Sequence, residues 1–282
     1  MNRRSRNSVF RAFALSALFF CGLLLLFLFG TIAWKGISAI DLNFLFTPMS
    51  NFGAEGGIIY QIAGSILLVV VAALIAFPLA LGTAIYKSEY IHNRTLQRIT
   101  SVLVYGLNGI PSVIFGIFSL IFFANYLDFG ISWFVGSITL AIMIVPTITL
   151  TAYQSVKSVP TIYREAGSAL GLTKWEVVRK VIIPQGINGA ITGLLIGIAR
   201  AIGETAPIMF VATAFSGVEF PSSIYEPVSS LPTHILALAQ QATNPKALAN
   251  AWGSSFVLIT LVMVFGITGL YLRIKTQKII QR

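Results

Sequence analysis

Charged residues are scarce in this chain. Only 10% of its 282 residues are Asp, Glu, Lys or Arg, and 56% are hydrophobic. An ordinary soluble domain is about 25% charged, and a disordered chain is poor in apolar residues. The composition therefore excludes both classes and indicates a protein that lies in a membrane.

Cysteine and histidine are nearly absent. The one cysteine, Cys21, permits no internal disulfide, and the two histidines, His92 and His234, lie far apart in sequence. We therefore predict no metal site, and we expect His234 on the surface. The sequence has no G-x-x-x-x-G-K-[ST] phosphate loop, so we expect no catalytic residue and no cofactor bound by this chain.

Six apolar stretches are long enough to cross a bilayer as helices, which takes roughly 20 residues each. The fold class that they predict is all-α: a polytopic membrane protein with six transmembrane helices in a single domain, 1–282. The first stretch is too long for a signal peptide and predicts an uncleaved anchor. The predicted spans are 12–34, 58–86, 100–125, 131–153, 187–213 and 252–272.

The basic residues predict the orientation of these spans. Of 19 Lys and Arg residues, 16 fall in the two termini and in the loops after the second and fourth spans. The opposite side has Lys35 and Lys246 only, and Arg200 lies inside a span. Because basic residues collect in cytoplasmic loops, we expect both termini in the cytoplasm, together with the long loop 154–186.

That long loop has signals for two short helices joined by a tight turn. Pro160 suits the first turn of a helix, and Gly171 can take the left-handed conformation that ends it. Thr173 and Glu176 have the spacing of a capping box, and Pro184 is expected to limit the second helix. Because ordinary connections have about 4–6 residues, this projection favours a docking element over a loop that only caps the bundle.

Two charges interrupt the fifth span. At about 100° per residue, Arg200 and Glu204 share a helix face with Gly189, Gly193 and Gly197. Glycine at this spacing lets helices pack closely, so we expect this face to point into the bundle. The opposite face is expected to meet lipid and carries Ile191, Leu194, Leu195 and Ile198.

Two interpretations of this pair remain open. The charges could neutralise each other and lock the packing, or Arg200 could line a pathway and meet an anion while Glu204 holds it between visits. We favour the pathway, because intramembrane ionisable residues are functional by default and the arginine fork suits tetrahedral oxyanions. Weaker pathway candidates are the polar residues beside Pro111 and Pro207, namely Asn108, Ser112 and Thr205.

The long loop also carries a family resemblance. Glu165-Ala166-Gly167, then Gly171, then Val181-Ile182-Ile183-Pro184 resembles the EAA loop of ATP-binding-cassette importer permeases. The family pattern is E-A-A, three residues, G, nine residues, I-x-L-P. The departures at Gly167, Val181 and Ile183 are conservative.

The run from Arg200 to Pro207 looks like a narrower signature. It reads R-A-I-G-E-T-A-P and is similar to the R-A-x-G-E-T-A-P run of PstA-type permease subunits of phosphate importers. The stretches 56–65 and 109–116 are also similar to that family. The resemblance implies the type I importer permease (MetI-like) fold and ATP-driven translocation of inorganic phosphate across a prokaryotic inner membrane.

The resemblance further implies the partners. The EAA loop is expected to hold a coupling helix that docks on a cytoplasmic ATPase, which supplies the ATP and magnesium. A second permease subunit, an external phosphate-binding protein and the lipid membrane complete the assembly, and no nucleic acid takes part. The residues expected at the ATPase contact are Glu165, Ala166, Gly167, Gly171 and Pro184.

Three other functions remain open from sequence. The nearest is a permease for another oxyanion such as sulfate. A secondary anion transporter or channel would need no ATPase partner, and it leaves the EAA loop unexplained. A membrane signalling partner that reports phosphate status is the third.

Overall fold

A computed structural model describes residues 3–213, 220–241 and 243–280. Among these residues the regular secondary structure is helical, apart from one isolated bridge and a small hairpin in which β1 (Met49–Ser50) pairs antiparallel with β2 (Glu55–Gly56). The helices are α1 Arg3–Ile37, α2 Leu42–Phe46, α3 Ile59–Ile85, α4 Arg94–Asn108, α5 Ser112–Ser119, α6 Trp133–Lys157, α7 Thr161–Ala169, α8 Lys174–Val177, α9 Ile183–Ile202, α10 Ala206–Val211, α11 Leu231–Gln240 and α12 Pro245–Ile280. A 3₁₀ turn covers Asn51–Gly53, and π-helical turns cover Tyr86–Tyr90, Leu120–Tyr126 and Val178–Ile182.

Five segments of the described chain are long and apolar enough to cross a membrane, and a bent pair can supply a sixth. The bent pair is the third predicted span, which is therefore not one straight helix. Its two halves, Arg94–Asn108 and Ser112–Tyr126, meet at 94°. Pro111 explains the break, because it has no N–H to donate and disfavours helix at the residue before it. The five straight segments are Phe10–Ile37, Ile59–Tyr90, Trp133–Lys157, Lys174–Ile202 and Pro245–Lys275.

The fifth predicted span, 187–213, is also interrupted. Continuous helix ends at Ile202, and α10 begins at Ala206. Gly203 closes α9 by donating its N–H to the Arg200 carbonyl at 3.2 Å. Pro207 then stands in the first turn of α10, where its missing N–H has no cost. Glu204 therefore lies in a turn and not on the helix face that its spacing predicts.

Helix α6 occupies the centre of the bundle, between α3 and α9. On the α3 side, Ala72, Ala76 and Ala80 are fully buried at every fourth position. On the α9 side, Gly193 faces Thr151 and Ile148, and Gly197 faces Ile144. Small residues on both flanks let three backbones approach closely. The predicted glycine face of α9 does point into the bundle.

The opposite face of α9 was expected to meet lipid, but another helix covers much of it. Helix α12 packs along it, and Leu195 lies directly on Gly269. Leu194 and Ile198 pack against the main core, whereas Ile196 is 49% exposed. The prediction failed because periodicity marks an apolar face without showing whether lipid or another helix covers it.

Helix α11 and the hairpin form a cap at the end where α3 begins. Asn250 of α12 donates to the carbonyls of Gly53 and Ala54 at 3.0 and 3.1 Å. His234 of α11 is only 7% exposed, and it packs on Gly53, whose φ is +89°. The surface position expected for His234 is therefore wrong: α11 turns this residue inward onto the hairpin.

The glycine contact of α9 generates a stability prediction. Gly193→Val places a branched side chain against Thr151 and the Ile148 Cα, and overpacking of this kind costs about 1–3 kcal/mol. The variant is expected to lose thermal stability in detergent, measured by size-exclusion recovery after heating. Gly266→Val is the matched control, because no atom lies within 4 Å of a β-carbon built there. Equal losses in both variants would contradict the close α6–α9 contact.

Burial of His234 generates a pH prediction. Burial lowers the pKa of its imidazole from 6.5 to about 4, so between these values the unfolded state binds more protons than the folded state. Stability is therefore complete above pH 6.5 and falls as the pH drops towards 4, by on the order of 1–3 kcal/mol. Melting temperatures from pH 7.5 to 4.5 should show this slope in the wild type. The slope should flatten in His234→Gln and persist in His92→Gln, a change at an exposed histidine.

Candidate functional site: a polar cluster at two helix breaks, and the projecting loop

Three helices, α4, α6 and α9, bring polar side chains together beside the break between α4 and α5 and the break between α9 and α10. Asn108 is the last residue of α4, and Arg200 lies in the last turn of α9. The Nη1 of Arg200 donates to the Oδ1 of Asn108 at 3.4 Å. The same Oδ1 accepts a hydrogen bond from the Oγ1 of Thr147 on α6 at 2.8 Å. Two donors thus converge on one amide oxygen.

Glu204 completes this cluster. Its Oε1 lies 3.4 Å from the Nε of Arg200, so the predicted ion pair forms even though Glu204 lies beyond the helix end. The Arg200 side chain is 33% exposed and the Glu204 side chain 16%. A guanidinium has five N–H donors, and these two long contacts engage two of them. The remaining donors are available to an oxyanion.

Thr147 is the member that sequence reasoning missed. It follows Pro146 in the middle of an apolar helix, where a threonine commonly donates to its own helix backbone. No spacing in the sequence relates it to Asn108, which is 39 residues earlier. Only the packing of α4 on α6 shows that this hydroxyl orients the Asn108 amide.

The two breaks lie next to each other in space. Gly116 of α5 packs on Pro207 of α10, and a β-carbon at Gly116 would come within 2.7 Å of the Pro207 Cα. Each break has a glycine after the first helix and a proline at the start of the second. Helix ends leave backbone groups without helical partners, and membrane proteins tolerate such groups where they line a cavity. The polar cluster therefore lies in the region where free backbone groups of the two breaks would be expected to line a cavity.

Two of the predicted pathway residues are not joined to the cluster. Ser112 opens α5 and Thr205 precedes α10, and both are half-buried. Among the described residues, no hydrogen bond connects either side chain to Arg200, Asn108 or Glu204. They lie at the breaks, and Thr205 directly follows Glu204 in the chain, but neither side chain belongs to the hydrogen-bonded cluster.

The projecting loop follows the C-terminal end of α6 and consists of two short helices, one after the other. Helix α7 ends at Ala169, and Gly171 takes φ +79°. The Leu172 N–H reaches back to the Gly167 carbonyl at 3.2 Å, a glycine-terminated helix end. Thr173 and Glu176 form both hydrogen bonds of the predicted capping box at the start of α8. These local features are as the sequence predicts.

The residues of the EAA-like motif divide between two sides of the loop. Glu165 and Ala166 are exposed, whereas Gly167 is buried against Val177. A β-carbon at Gly167 would lie 3.1 Å from the Val177 Cγ2, which explains why the smallest residue suits this position here. The exposed side carries large apolar side chains that no described residue covers: Ile162, Tyr163, Leu170 and Trp175.

Pro184 does not end a helix, contrary to the expectation. Helix α8 continues through the π turn Val178–Ile182 into α9, as one apolar segment, Lys174–Ile202. In the π turn the Ile183 N–H donates to the carbonyl of Val178, five residues earlier. Pro184 can then occupy the first turn of α9, where a proline needs no N–H partner. The second helix of the loop is therefore continuous with the helix that carries Arg200.

Arg164 anchors this loop to the bundle. Its Nη2 and Nε donate to the two carboxylate oxygens of Glu89, at 3.0 and 3.2 Å. It also donates to the carbonyls of Val156 and Val159 at the end of α6. The Glu89 side chain is only 10% exposed. Bidentate arginine–carboxylate pairs of this kind are strong and directional, and no sequence signal pairs two residues that lie 75 positions apart.

Comparison with known proteins places this geometry in a family. Residues 76–267 match the family described as "Binding-protein-dependent transport system inner membrane component". The chain is 34% identical over 241 residues to the "Phosphate transport system permease protein PstA" of Yersinia pestis, covering 84% of this chain and 80% of that protein. It is 30% identical over 277 residues to the protein of the same name from Mycobacterium leprae, covering 95% and 89%.

The fold is similar to that of a solved transporter chain. A chain in the crystal structure of a bacterial ABC transporter involved in the import of the acidic polysaccharide alginate superposes with a TM-score of 0.67. The match covers 97% of this chain and 99% of that chain, at 16% identity. The family match spans most of the chain, including both helix breaks and the projecting loop. This protein therefore belongs to the family of binding-protein-dependent transport system inner membrane components.

Proposed function

We propose that this chain is a membrane-spanning subunit of an ATP-driven importer and that it translocates inorganic phosphate. Several relatives at about this level of identity are named phosphate transport system permease proteins. The run from Arg200 to Pro207, whose sequence resembles that group, builds the polar cluster. Another oxyanion as the substrate, such as sulfate, is an outcome of the test below.

The observation that carries the proposal is that the Arg200 guanidinium has only two hydrogen-bond acceptors among the described residues, both at long distance. Its two hydrogen-bond acceptors, Asn108 Oδ1 and Glu204 Oε1, both lie at 3.4 Å, near the long limit for such bonds. A phosphate offers several oxygens that can accept from the guanidinium fork in pairs. Glu204 neutralises the charge of Arg200 when no anion is present. When an anion arrives, the negative charge of Glu204 repels it and so prevents tight binding. Weak binding of this kind suits a pathway residue.

The projecting loop is proposed as the coupling element. Its exposed side carries Glu165 and Ala166 beside a set of unburied apolar side chains, as suits a surface that another protein covers. We propose that a cytoplasmic ATPase subunit docks there, holds the ATP and magnesium, and provides the hydrolysis. A second permease subunit and an external phosphate-binding protein complete the proposed assembly. The bias of basic residues supports cytoplasmic termini.

The contacts suggest how movement of the loop reaches the cluster. Displacement of α7 by the ATPase acts on α3 and α6 through Arg164, which binds Glu89 and the end of α6. Displacement of α8 acts on α9 directly, because the helix continues from Lys174 to Ile202. Both routes end beside the α4–α5 and α9–α10 breaks. ATP binding and hydrolysis would thereby open the cluster to the two sides of the membrane in turn.

The first test is uptake of labelled phosphate by cells that contain or lack this chain, at low external substrate and with or without depletion of ATP. Arg200→Ala is expected to reduce ATP-dependent phosphate uptake by roughly tenfold or more, because a hydrogen bond to a charged group contributes about 1.5–3 kcal/mol. Arg98→Ala removes an exposed arginine and is the matched control. Co-purification with the partner subunits checks that the assembly is intact.

Other outcomes of the same assay would change the proposal. Loss of labelled sulfate uptake, with phosphate uptake unchanged, would keep the importer and replace the substrate. Uptake that survives ATP depletion would favour a secondary transporter or channel. Normal phosphate uptake by a well-expressed Arg200→Ala variant would remove Arg200 from the pathway.

The second test addresses the coupling loop. Glu89→Gln removes the negative charge that holds Arg164, so the loop should loosen and hydrogen–deuterium exchange of 158–173 should increase. ATP hydrolysis by the assembled transporter should then continue with reduced phosphate transport. Glu55→Gln breaks an exposed ion pair with Lys246, at 2.7 Å, near the opposite end of the bundle, and serves as the control for loss of a glutamate charge. Unchanged exchange and unchanged coupling in Glu89→Gln would show that the anchor has no role in transmission.

A further inference from the structure

A cavity lies behind the projecting loop, on the side that faces the bundle. Its volume is about 730 Å³, within the roughly 300–1,000 Å³ of small-molecule sites. Its walls come from the end of α6, the segment 88–97 that follows α3, and the inner sides of α7 and α8. The cavity therefore spans the joint between the loop and the membrane bundle.

Positive charge in this cavity is not balanced. Glu89, the carboxylate among its lining residues, is already held by both arms of Arg164. The two lysines that line it, Lys157 and Lys174, have no carboxylate within 4 Å among the described residues. Each instead lies over an aromatic ring, Lys157 at 5.6 Å from the Tyr153 centroid and Lys174 at 4.9 Å from that of Tyr90.

A third ammonium group raises the positive potential nearby. Lys87 is only 3% exposed, donates to the Oγ of Ser101 at 2.9 Å, and lies 4.6 Å from the centroid of the same Tyr153 ring. No described carboxylate pairs with it. Lys87 and Lys157 lie over the same Tyr153 ring, and because like charges close to each other repel, an anion in the cavity would relieve that repulsion.

The remaining lining defines the chemistry of that anion. The Thr161 hydroxyl and the second N–H of the Gln97 amide line the same space as the lysines. The Ser88 and Ser168 hydroxyls also line it but already donate to the Glu89 carboxylate and the Arg164 carbonyl. Val177, Val178 and Ile182 form an apolar wall. Two ammonium groups, together with these two neutral donors, match a group with several acceptor oxygens. The volume exceeds what a single small ion needs and leaves room for attached carbon.

We propose that this cavity binds a phosphate group between Lys157 and Lys174. Two sources share this chemistry: the headgroup of an anionic phospholipid, and free inorganic phosphate from the cytoplasm. The apolar wall and the position at the ends of α3 and α6 favour the lipid headgroup. Because Lys157 belongs to the bundle and Lys174 to the loop, the bound group fastens the loop to the bundle. The proposal concerns a site separate from Arg200 and does not depend on which substrate is carried.

The test uses the full chain with its co-purifying partners in lipid nanodiscs. In discs that contain phosphatidylglycerol, native mass spectrometry counts the phosphatidylglycerol molecules that remain bound. The double variant Lys157→Gln/Lys174→Gln is expected to retain it roughly tenfold more weakly, because each basic group contributes on the order of 1 kcal/mol to such binding. The matched control is Arg179→Gln/Lys180→Gln, which removes two exposed charges of the same loop that do not line the cavity.

A second experiment distinguishes a phospholipid headgroup from free inorganic phosphate as the source of the bound phosphate group. Labelled inorganic phosphate is titrated into zwitterionic nanodiscs in an Arg200→Ala background, which removes the contribution of the polar cluster. Binding that falls in the cavity variant and persists in the control identifies free phosphate as the ligand. Loss of retained phosphatidylglycerol alone identifies the lipid. Absence of both ligands, or equal binding in cavity and control variants, overturns the proposal.

A folding defect is controlled separately. Lys157→Arg/Lys174→Arg keeps the charge and is expected to keep the binding. If the glutamine double variant does not assemble, the two single glutamine variants replace it, each with a smaller expected loss. Failure of the phosphate-uptake test would leave these binding results unaffected, so the two proposals can fail independently.

Discussion

The close approach of α9 to α6 is the constraint on which the membrane region depends. Between helices in lipid there is no hydrophobic driving force, so association rests on tight packing and hydrogen bonds. Gly193 and Gly197 permit that approach by leaving space for Thr151 and for Ile148 and Ile144. The approach also sets the position of everything beyond Gly197 on the same helix. Arg200 reaches the Asn108–Thr147 pair because the three turns before it lie directly on α6.

The two helix breaks supply polar backbone groups and side chains that continuous membrane helices do not expose. A membrane-spanning helix satisfies its own backbone and has little polar surface left. Where α4 ends at Asn108 and α9 ends at Ile202, carbonyl groups and polar side chains become available in one region. The contact of Gly116 with Pro207 joins the second halves of both broken helices. The charge of Arg200 is tolerated there because the Asn108 amide oxygen of α4 and the Glu204 carboxylate after α9 both accept from its guanidinium.

The projecting loop has two sides with different chemistry. Its outer side has exposed apolar groups beside Glu165, whereas its inner side has Arg164 bound to Glu89 and a cavity lined by Lys157 and Lys174. A partner on the outer side and a phosphate group on the inner side would act on the same body of two short helices. The π turn before α9 makes that body continuous with the helix that carries Arg200. Binding at the cavity between the loop and the bundle would therefore affect the polar cluster through the continuous helix from α8 to α9.

The sequence by itself determined the features that depend on neighbours along the chain. These are the apolar segments, the basic bias, the Gly171 turn and the Thr173 capping box, because each depends on a few adjacent residues. Only the tertiary structure decided which faces meet. It turned His234 inward, covered Leu195 with α12, recruited Thr147 to Asn108 and paired Arg164 with Glu89. Such contacts join residues that are tens of positions apart, and periodicity describes a face but not the partner that covers it.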